Sequence, residues 1–155
     1  MSLDDQTQDL ITSRRNPLVR RLRSLSSRSG REEHGVVLLE GTHQLQELQN
    51  LSGQCSVPID VVATPVWLES HAGLIHTLPG SVRVQRISTE ALQAGLTTVQ
   101  PDGVACLLPL AWLPTPVAAP DFVLALDRIQ DPGNLGTLLR TARAADIQQV
   151  WCASG

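Results

Sequence analysis

The chain has 155 residues, 42% of them hydrophobic, with one Phe, three Trp and no Tyr, so its core must be built from aliphatic side chains. No apolar run approaches the ~20 residues of a membrane span, and the acidic, polar start MSLDDQTQDL excludes a secretory signal. The net charge of −3 argues against nucleic acid only until its distribution is read: all twelve basic residues are Arg, and seven of them fall between positions 14 and 31, a stretch without acid.

Residues 1–10 read as a disordered leader, and the localisation expected is cytoplasmic. In ITSRRNPLVRRLRSLSSRSGRE, Asn16 followed by Pro17 is a helix start, a side-chain cap and then Pro at the first helical position. Leu18, Leu22 and Leu25, widened by Val19, form one apolar stripe, and the other faces are arginine. Ser and Gly30 are expected to end this helix. Arg14, Arg15, Arg20, Arg21, Arg23, Arg28 and Arg31 form an electrostatic footprint suited to phosphates. A merely solvated basic face would have the same composition.

Strand and helix then alternate. Val36 to Leu39 reads as a buried strand, Gly41 as a turn glycine, and Thr42 to Asn50 as a helix with Leu45 and Leu48 inward. IDVVATP and VWLESHAG repeat strand and short helix. SVRVQRIS alternates, with Val82, Val84 and Ile87 assigned to one face. Ser88 can cap the short helix TEALQAGL, and DGVACLLPL is a further strand. This order predicts a small α/β sandwich of about 100 residues.

Pro109 to Asp121 holds four prolines and no helical period, which marks a semi-rigid linker at 111–120 between a domain at 11–110 and a second unit at 121–155. In that unit FVLALD is an apolar strand of parallel-sheet type, Asp131 to Asn134 a turn with Asn134 as helix cap, Leu135 to Ala145 a helix, and QQVWCA a second strand. Two strands and one helix cannot close a core. Leu135, Leu138, Leu139 and Ala142 make the expected inward face. Gly136, Arg140 and Arg143 line the opposite one, where Gly136 removes bulk one turn before Arg140 at a cost of roughly 1 kcal/mol against Ala. The turn lies at the carboxyl end of the strand, where α/β sheets place ligand sites. Neither GxGxxG nor GK[ST] is present. Cys55, Cys106 and Cys152 are scattered and read as buried free thiols, and His34, His43, His71 and His76 show no metal spacing, so no metal is expected.

LALDRIQDPGNLGTLLRTARAA resembles the first signature motif of the SpoU/TrmH family of RNA ribose 2′-O-methyltransferases: a hydrophobic strand, then D-x-(I/V)-x-D-P-x-N-x-G-x-x-x-R-(T/S)-A-x-A. ITSRRNPLVRRLRSL, VVLLEGTHQLQEL and TTVQPDGVACLLPL are similar, in order, to the family's N-terminal substrate-binding domain. The resemblance implies a ribosomal-protein-like α/β sandwich, followed by the first βαβ unit of a knotted SPOUT α/β domain. It also implies methyl transfer from S-adenosylmethionine to a ribose 2′-hydroxyl of tRNA or rRNA, and a homodimer formed through the catalytic domain.

The motif's catalytic positions fall on Asn134 and Arg140. Arg14, Arg15, Asn16, Arg20, Arg21, Arg23 and Arg143 become expected RNA contacts. Where the family usually has Gly, this chain has Asp146, a change a loop tolerates. The family's second and third motifs lie C-terminal to the first and are expected beyond Gly155, with most of the cofactor-binding residues. The chain as given is therefore expected to be inactive alone and to hold no cofactor. A stand-alone, non-catalytic RNA-binding module and an inactive, dimerisation-only homologue are the competing readings.

Overall fold

The computed structural model describes residues 9–49, 58–78, 81–113 and 115–153. The chain divides into two compact units, Met1–Leu113 and Pro114–Gly155.

The first unit contains α1 (Pro17–Ser24), α2 (Arg28–His34), β1 (Val36–Glu40), α3 (Thr42–Leu48), β2 (Ile59–Ala63), α4 (Pro65–Thr77), β3 (Val82–Arg86), α5 (Thr89–Gly95) and β4 (Val104–Pro109), with a 3-10 turn at Leu110–Trp112. The strands form one mixed sheet in the order β1-β4-β2-β3. β4 runs antiparallel to both β1 and β2, and β2 is parallel to β3. Each parallel or crossing connection is a helix, so both faces of the sheet are covered.

The period of two in the strands sorts the core into two layers. Ile59, Val61 and Ala63 of β2 and Val104, Cys106 and Leu108 of β4 pack with Leu45 and Leu48 of α3 and Trp67 and Ile75 of α4. On the other face, Val62, Ala105 and Leu107 meet Val19 and Leu22 of α1, Leu25 just after it, and Ala91 and Leu92 of α5. The expected α/β sandwich is thus a sheet between two helical layers. Full burial of one such aliphatic side chain contributes about 1.5–3 kcal/mol.

α1 starts as its sequence predicts, with Leu18 N donating to Asn16 Oδ1 at 2.8 Å and Pro17 at the first helical position. It stops at Ser24, and Gly30 does not end it. Ser27 caps a second helix by accepting from Gly30 N, and Gly35, at φ 63°, closes that one. Gly30 serves close packing instead: a Cβ there would lie 2.1 Å from Ser24 O. Val82 and Val84 join the α3/α4 layer, whereas Ile87 belongs to the α1/α5 layer. Ile87 lies three positions after Val84, an odd step that reverses the face. Ile87 also bridges in parallel to Ile11, which joins the segment before α1 to the sheet. The helix read from VWLESHAG extends over 13 residues, with a kink at His71 (φ −129°, ψ 20°). The end of the helix placed at Thr42 to Asn50 and the thiol of Cys55 lie outside the described residues.

In the second unit β5 (Val123–Leu126) pairs in parallel with β6 (Gln149–Cys152), connected by α6 (Pro132–Ala144). α6 begins three residues earlier than Leu135. Asp131, not Asn134, is the cap, its Oδ1 accepting from Asn134 N at 2.7 Å, and Pro132 takes the first helical position. Ala142 is buried and Leu135 and Leu138 are half-buried, but Leu139 is 43% exposed. Phe122 and Trp151 are each 58% exposed, and Cys152 is exposed rather than buried.

Candidate functional site

The arginine segment is organised by α1. Val19 and Leu22 are fully buried against α5, where Gly95 permits the approach: a Cβ there would lie 3.0 Å from Leu22 Cβ. This docking orients the remaining side chains outward. Arg14, Arg15 and Arg20 are exposed, and Arg21 is half-buried, with its Nε shielded and unpaired. The other three arginines have structural partners. Arg23 donates from Nε and Nη2 to Ala94 O at 3.0 and 2.6 Å, which satisfies a carbonyl in the last turn of α5. Arg31 Nη1 donates to Leu25 O and Ser26 O, and Arg28 pairs with Glu32 at 2.7 Å across one helical turn. Asn16, expected as an RNA contact, uses its side-chain oxygen as the cap of α1.

Glu90, in the first turn of α5, has its carboxyl held below the usual range. Its own backbone N–H is the main cause, then the Ser88 hydroxyl, with a smaller pull from the charge of Arg14.

A polar cleft of about 280 Å³ opens elsewhere on the first unit, lined by Glu40 to Gln44 and by Thr98, Gln100, Pro101 and Asp102. Glu40 braces its wall. Oε1 accepts from Thr97 N and Oγ1 at 3.2 and 2.7 Å, and Oε2 accepts from Thr98 N at 3.0 Å. Burial raises the Glu40 carboxyl, but these hydrogen bonds outweigh it and leave it below its ordinary value. Asp102 Oδ2 accepts from Thr42 N at 2.8 Å and so supplies the cap that Gly41 lacks a side chain to provide. Trp67 Nε1 donates to Thr42 Oγ1 at 2.8 Å, and its ring stacks on His71 with centroids 4.6 Å apart. Gly41 sits at φ 103°, in keeping with a turn glycine. Sequence reasoning missed this cleft, because its two walls, in VVLLEGTHQLQEL and TTVQPDGVACLLPL, are about 60 residues apart and nothing in either shows that they meet.

The second site is the turn from β5 into α6. Every residue from Asp127 to Asn134 is exposed. Arg140 Nη2 donates to Thr137 Oγ1 at 3.2 Å, and Thr137 Oγ1 donates to Gly133 O at 3.0 Å. A Cβ at Gly136 would come to 3.3 Å from Arg140 Nη1, so the glycine leaves room for the guanidinium to lie back along the helix. Asn134 lies in the first turn of α6 and Arg140 in the third, and Arg143 follows about one turn later, exposed. Among the described residues, no three His, Cys, Asp or Glu side chains are grouped as a metal ion requires. Among them, too, no helix is long and apolar enough to cross a membrane.

Comparison with known proteins agrees with this architecture. Residues 16–106 match the MRM3-like substrate binding domain. An uncharacterized tRNA/rRNA methyltransferase of Synechocystis sp. is 39% identical over 91% of this chain and 51% of its own. The 23S rRNA guanosine 2′-O-methyltransferase RlmP of Bacillus subtilis is 28% identical over 94% of this chain and 54% of its own. An rRNA methyltransferase from Sinorhizobium meliloti superposes with a TM-score of 0.66 at 25% identity, covering 94% of this chain and 55% of that one. Its AdoMet-bound crystal structure gives 0.65 at 24%, covering 95% and 55%. The chain thus spans about half the length of the relatives it matches. It belongs to the SpoU/TrmH family of RNA methyltransferases, in the N-terminal region that carries the MRM3-like substrate-binding domain.

Proposed function

We infer that this chain is the RNA-binding part, with the first catalytic helix, of an S-adenosylmethionine-dependent rRNA or tRNA ribose 2′-O-methyltransferase that works as a homodimer. The observation that carries the reading is the coexistence of two features in one chain of this family. One is an outward arginine surface on the substrate-binding domain, and the other is α6, which follows the carboxyl end of a parallel strand and carries Asn134 in its first turn and the Gly136–Arg140 stripe beyond it.

The division of labour follows from the chemistry. Arg14, Arg15 and Arg20 hold phosphates through charge, with no base information. Scarce aromatic residues disfavour stacking along a strand as the main mode, which leaves phosphate and shape recognition of folded RNA. A ribose hydroxyl is a poor nucleophile until it is oriented and its developing charge stabilised. Arg140 has the chemistry for both. Its planar fork can grip the neighbouring phosphate, and because it stays protonated it stabilises negative charge and does not serve as the base. Asn134 N is committed to the Asp131 cap, which fixes the residue and leaves its carboxamide exposed to position the ribose or Arg140.

S-adenosylmethionine would supply the methyl group. The exposed turn from Asp127 to Asn134 has no walls to enclose a molecule of that size, so these residues alone do not fit the cofactor. Calorimetry on the chain tests both halves of the proposal. Folded rRNA or tRNA fragments should bind with steep salt dependence, and S-adenosylmethionine should show no micromolar site. Tight cofactor binding, or no RNA binding at low salt, would overturn it.

A further inference from the structure

Seven arginines lie between positions 14 and 31, and the structure sorts them into three kinds. Arg23, Arg28 and Arg31 have partners within the chain, and Arg14, Arg15 and Arg20 stand exposed. Arg21 belongs to neither group. It is half-buried, and its Nε is shielded from solvent with no acceptor among the described residues. Its place on α1 explains the burial: Leu18 lies three positions before it and Leu25 four after it, so the stem runs beside the apolar stripe. The sequence around it supplies no acceptor. Ser24 Oγ, one turn on, is turned to the backbone and donates to Arg21 O at 2.7 Å. The stretch from 14 to 31 holds no Asp or Glu other than at its flanks. A guanidinium carries only donors and does not lose its proton, so an N–H withheld from both water and an acceptor is unfavourable, and native folds rarely leave one so. Arg23, on the opposite flank of the same stripe, shows what satisfies that edge: its Nε and Nη2 act together on one oxygen, that of Ala94. The same Nε–Nη2 edge matches two oxygens of a phosphate, and the cationic stretch around Arg21 favours an anion over a neutral acceptor.

We propose that Arg21 is the directional anchor of this surface: its side chain turns so that Nε and Nη2 together grip one RNA phosphate, while Arg14, Arg15 and Arg20 contribute charge alone. The proposal rests on the RNA reading above and deepens it, because it separates the residue that fixes the position of the RNA backbone from those that only attract it. Two consequences have opposite signs. In the free chain the idle Nε is unfavourable, so Arg21→Lys, whose ammonium can extend to water, should keep or raise the melting temperature. In the complex a lysine supplies a point charge without the planar fork, so the same variant should bind RNA about ten-fold more weakly, the scale of one charge-assisted hydrogen bond. A residue that merely held α1 in place would lower both together.

The test is a titration of the whole chain with a folded rRNA fragment, read by the arginine Nε–H resonances in a nitrogen–proton correlation spectrum. The Arg21 signal is assigned by its absence from Arg21→Lys. At saturation that signal should move, as Nε takes an acceptor. Arg21→Lys should lower affinity about ten-fold and keep the slope of log affinity against log salt, because the charge is kept. Arg20→Lys should leave both affinity and slope unchanged. Undiminished affinity in Arg21→Lys, an unmoved Arg21 resonance at saturation, or a melting temperature that falls together with affinity overturns the anchor and leaves the RNA reading in place. Failure of the unaltered chain to bind folded RNA at low salt overturns both.

Discussion

Arg23 on α1 donates two hydrogen bonds, from Nε and Nη2, to the single carbonyl of Ala94 at the end of α5. A residue that composition places in an RNA-facing patch is thereby also a clamp between two helices of one layer. Hydrogen bonds from a charged donor contribute about 1.5–3 kcal/mol, and exposure to water lowers this to about 1 kcal/mol here. Arg23→Ala should therefore lower the urea midpoint, whereas Arg20→Ala should leave it unchanged. Equal midpoints for the two variants would remove the clamp from the account.

Asp146 stands where the family motif usually has glycine, and its φ is 54°. It follows the C-cap Ala145 of α6, with Asp146 N donating to Arg143 O and Ile147 N to Ala142 O at 3.3 and 2.9 Å. This is the helix-ending arrangement that favours a left-handed residue, and aspartate tolerates it less well than glycine. Asp146→Gly should stabilise the second unit by about 0.5–1 kcal/mol. A fall in its melting temperature would contradict that.

Glu40 links stability to pH. Its carboxyl is depressed in the folded chain from an ordinary value of 4.5, because Thr97 and Thr98 hydrogen-bond the ionised form and outweigh burial. The stability this supplies is complete above about pH 4.5 and is lost as pH falls through the lower folded value. Glu40→Gln should flatten the acid limb of the stability profile and leave its shape near neutral pH intact. An unaltered acid limb would show that the Glu40 hydrogen bonds carry no linkage.

Burial pushes the Cys106 thiol up to about 12, with a smaller push from Asp60, whereas Cys152 is exposed. Thiolate is the reactive form, so iodoacetamide at neutral pH should alkylate Cys152 and spare Cys106 until the first unit unfolds. Peptide mapping by mass spectrometry distinguishes the two. Early modification of Cys106 would mean that the sheet opens locally.

Much of this was legible in the sequence because local chemistry determined it. Asn16-Pro17 marked a helix start, and Thr64-Pro65 and Asp131-Pro132 repeat the same pattern: a side chain that caps, then a proline with no N–H to lose. Reading Asn134 as the cap set that pattern aside for a second good capping residue three positions on. The alternation in β2 and β4 is hidden in continuous apolar runs, since both faces are covered, and only the sheet order assigns Val62 and Val61 to opposite layers. The cleft was illegible for a different reason. Asp102 and Thr42 meet only because β1 and β4 are neighbours, with Glu40 opposite Ala105. Gly136 was legible, since its cost inside a helix pointed to the space that Arg140 uses.

Arg140 carries the catalytic part of the proposal. In a protein extending to the full length of these relatives, Arg140→Ala should lower methyl transfer at least about a hundred-fold, by the scale of lost oxyanion stabilisation, and leave the fold intact. Gly136→Val, which would crowd the guanidinium, should lower it less. Turnover near that of the unaltered protein in Arg140→Ala would remove the residue from the chemistry.

The central claim is that the arginine surface of the first unit binds RNA through phosphates, and the salt dependence of binding tests it most directly. Affinity for a folded rRNA fragment should be measured across salt concentrations for the chain and for the triple replacement of Arg14, Arg15 and Arg20 by Ala. Loss of three phosphate contacts should flatten the slope of log affinity against log salt by about 2 to 3. An unchanged slope, with binding intact, would contradict the account.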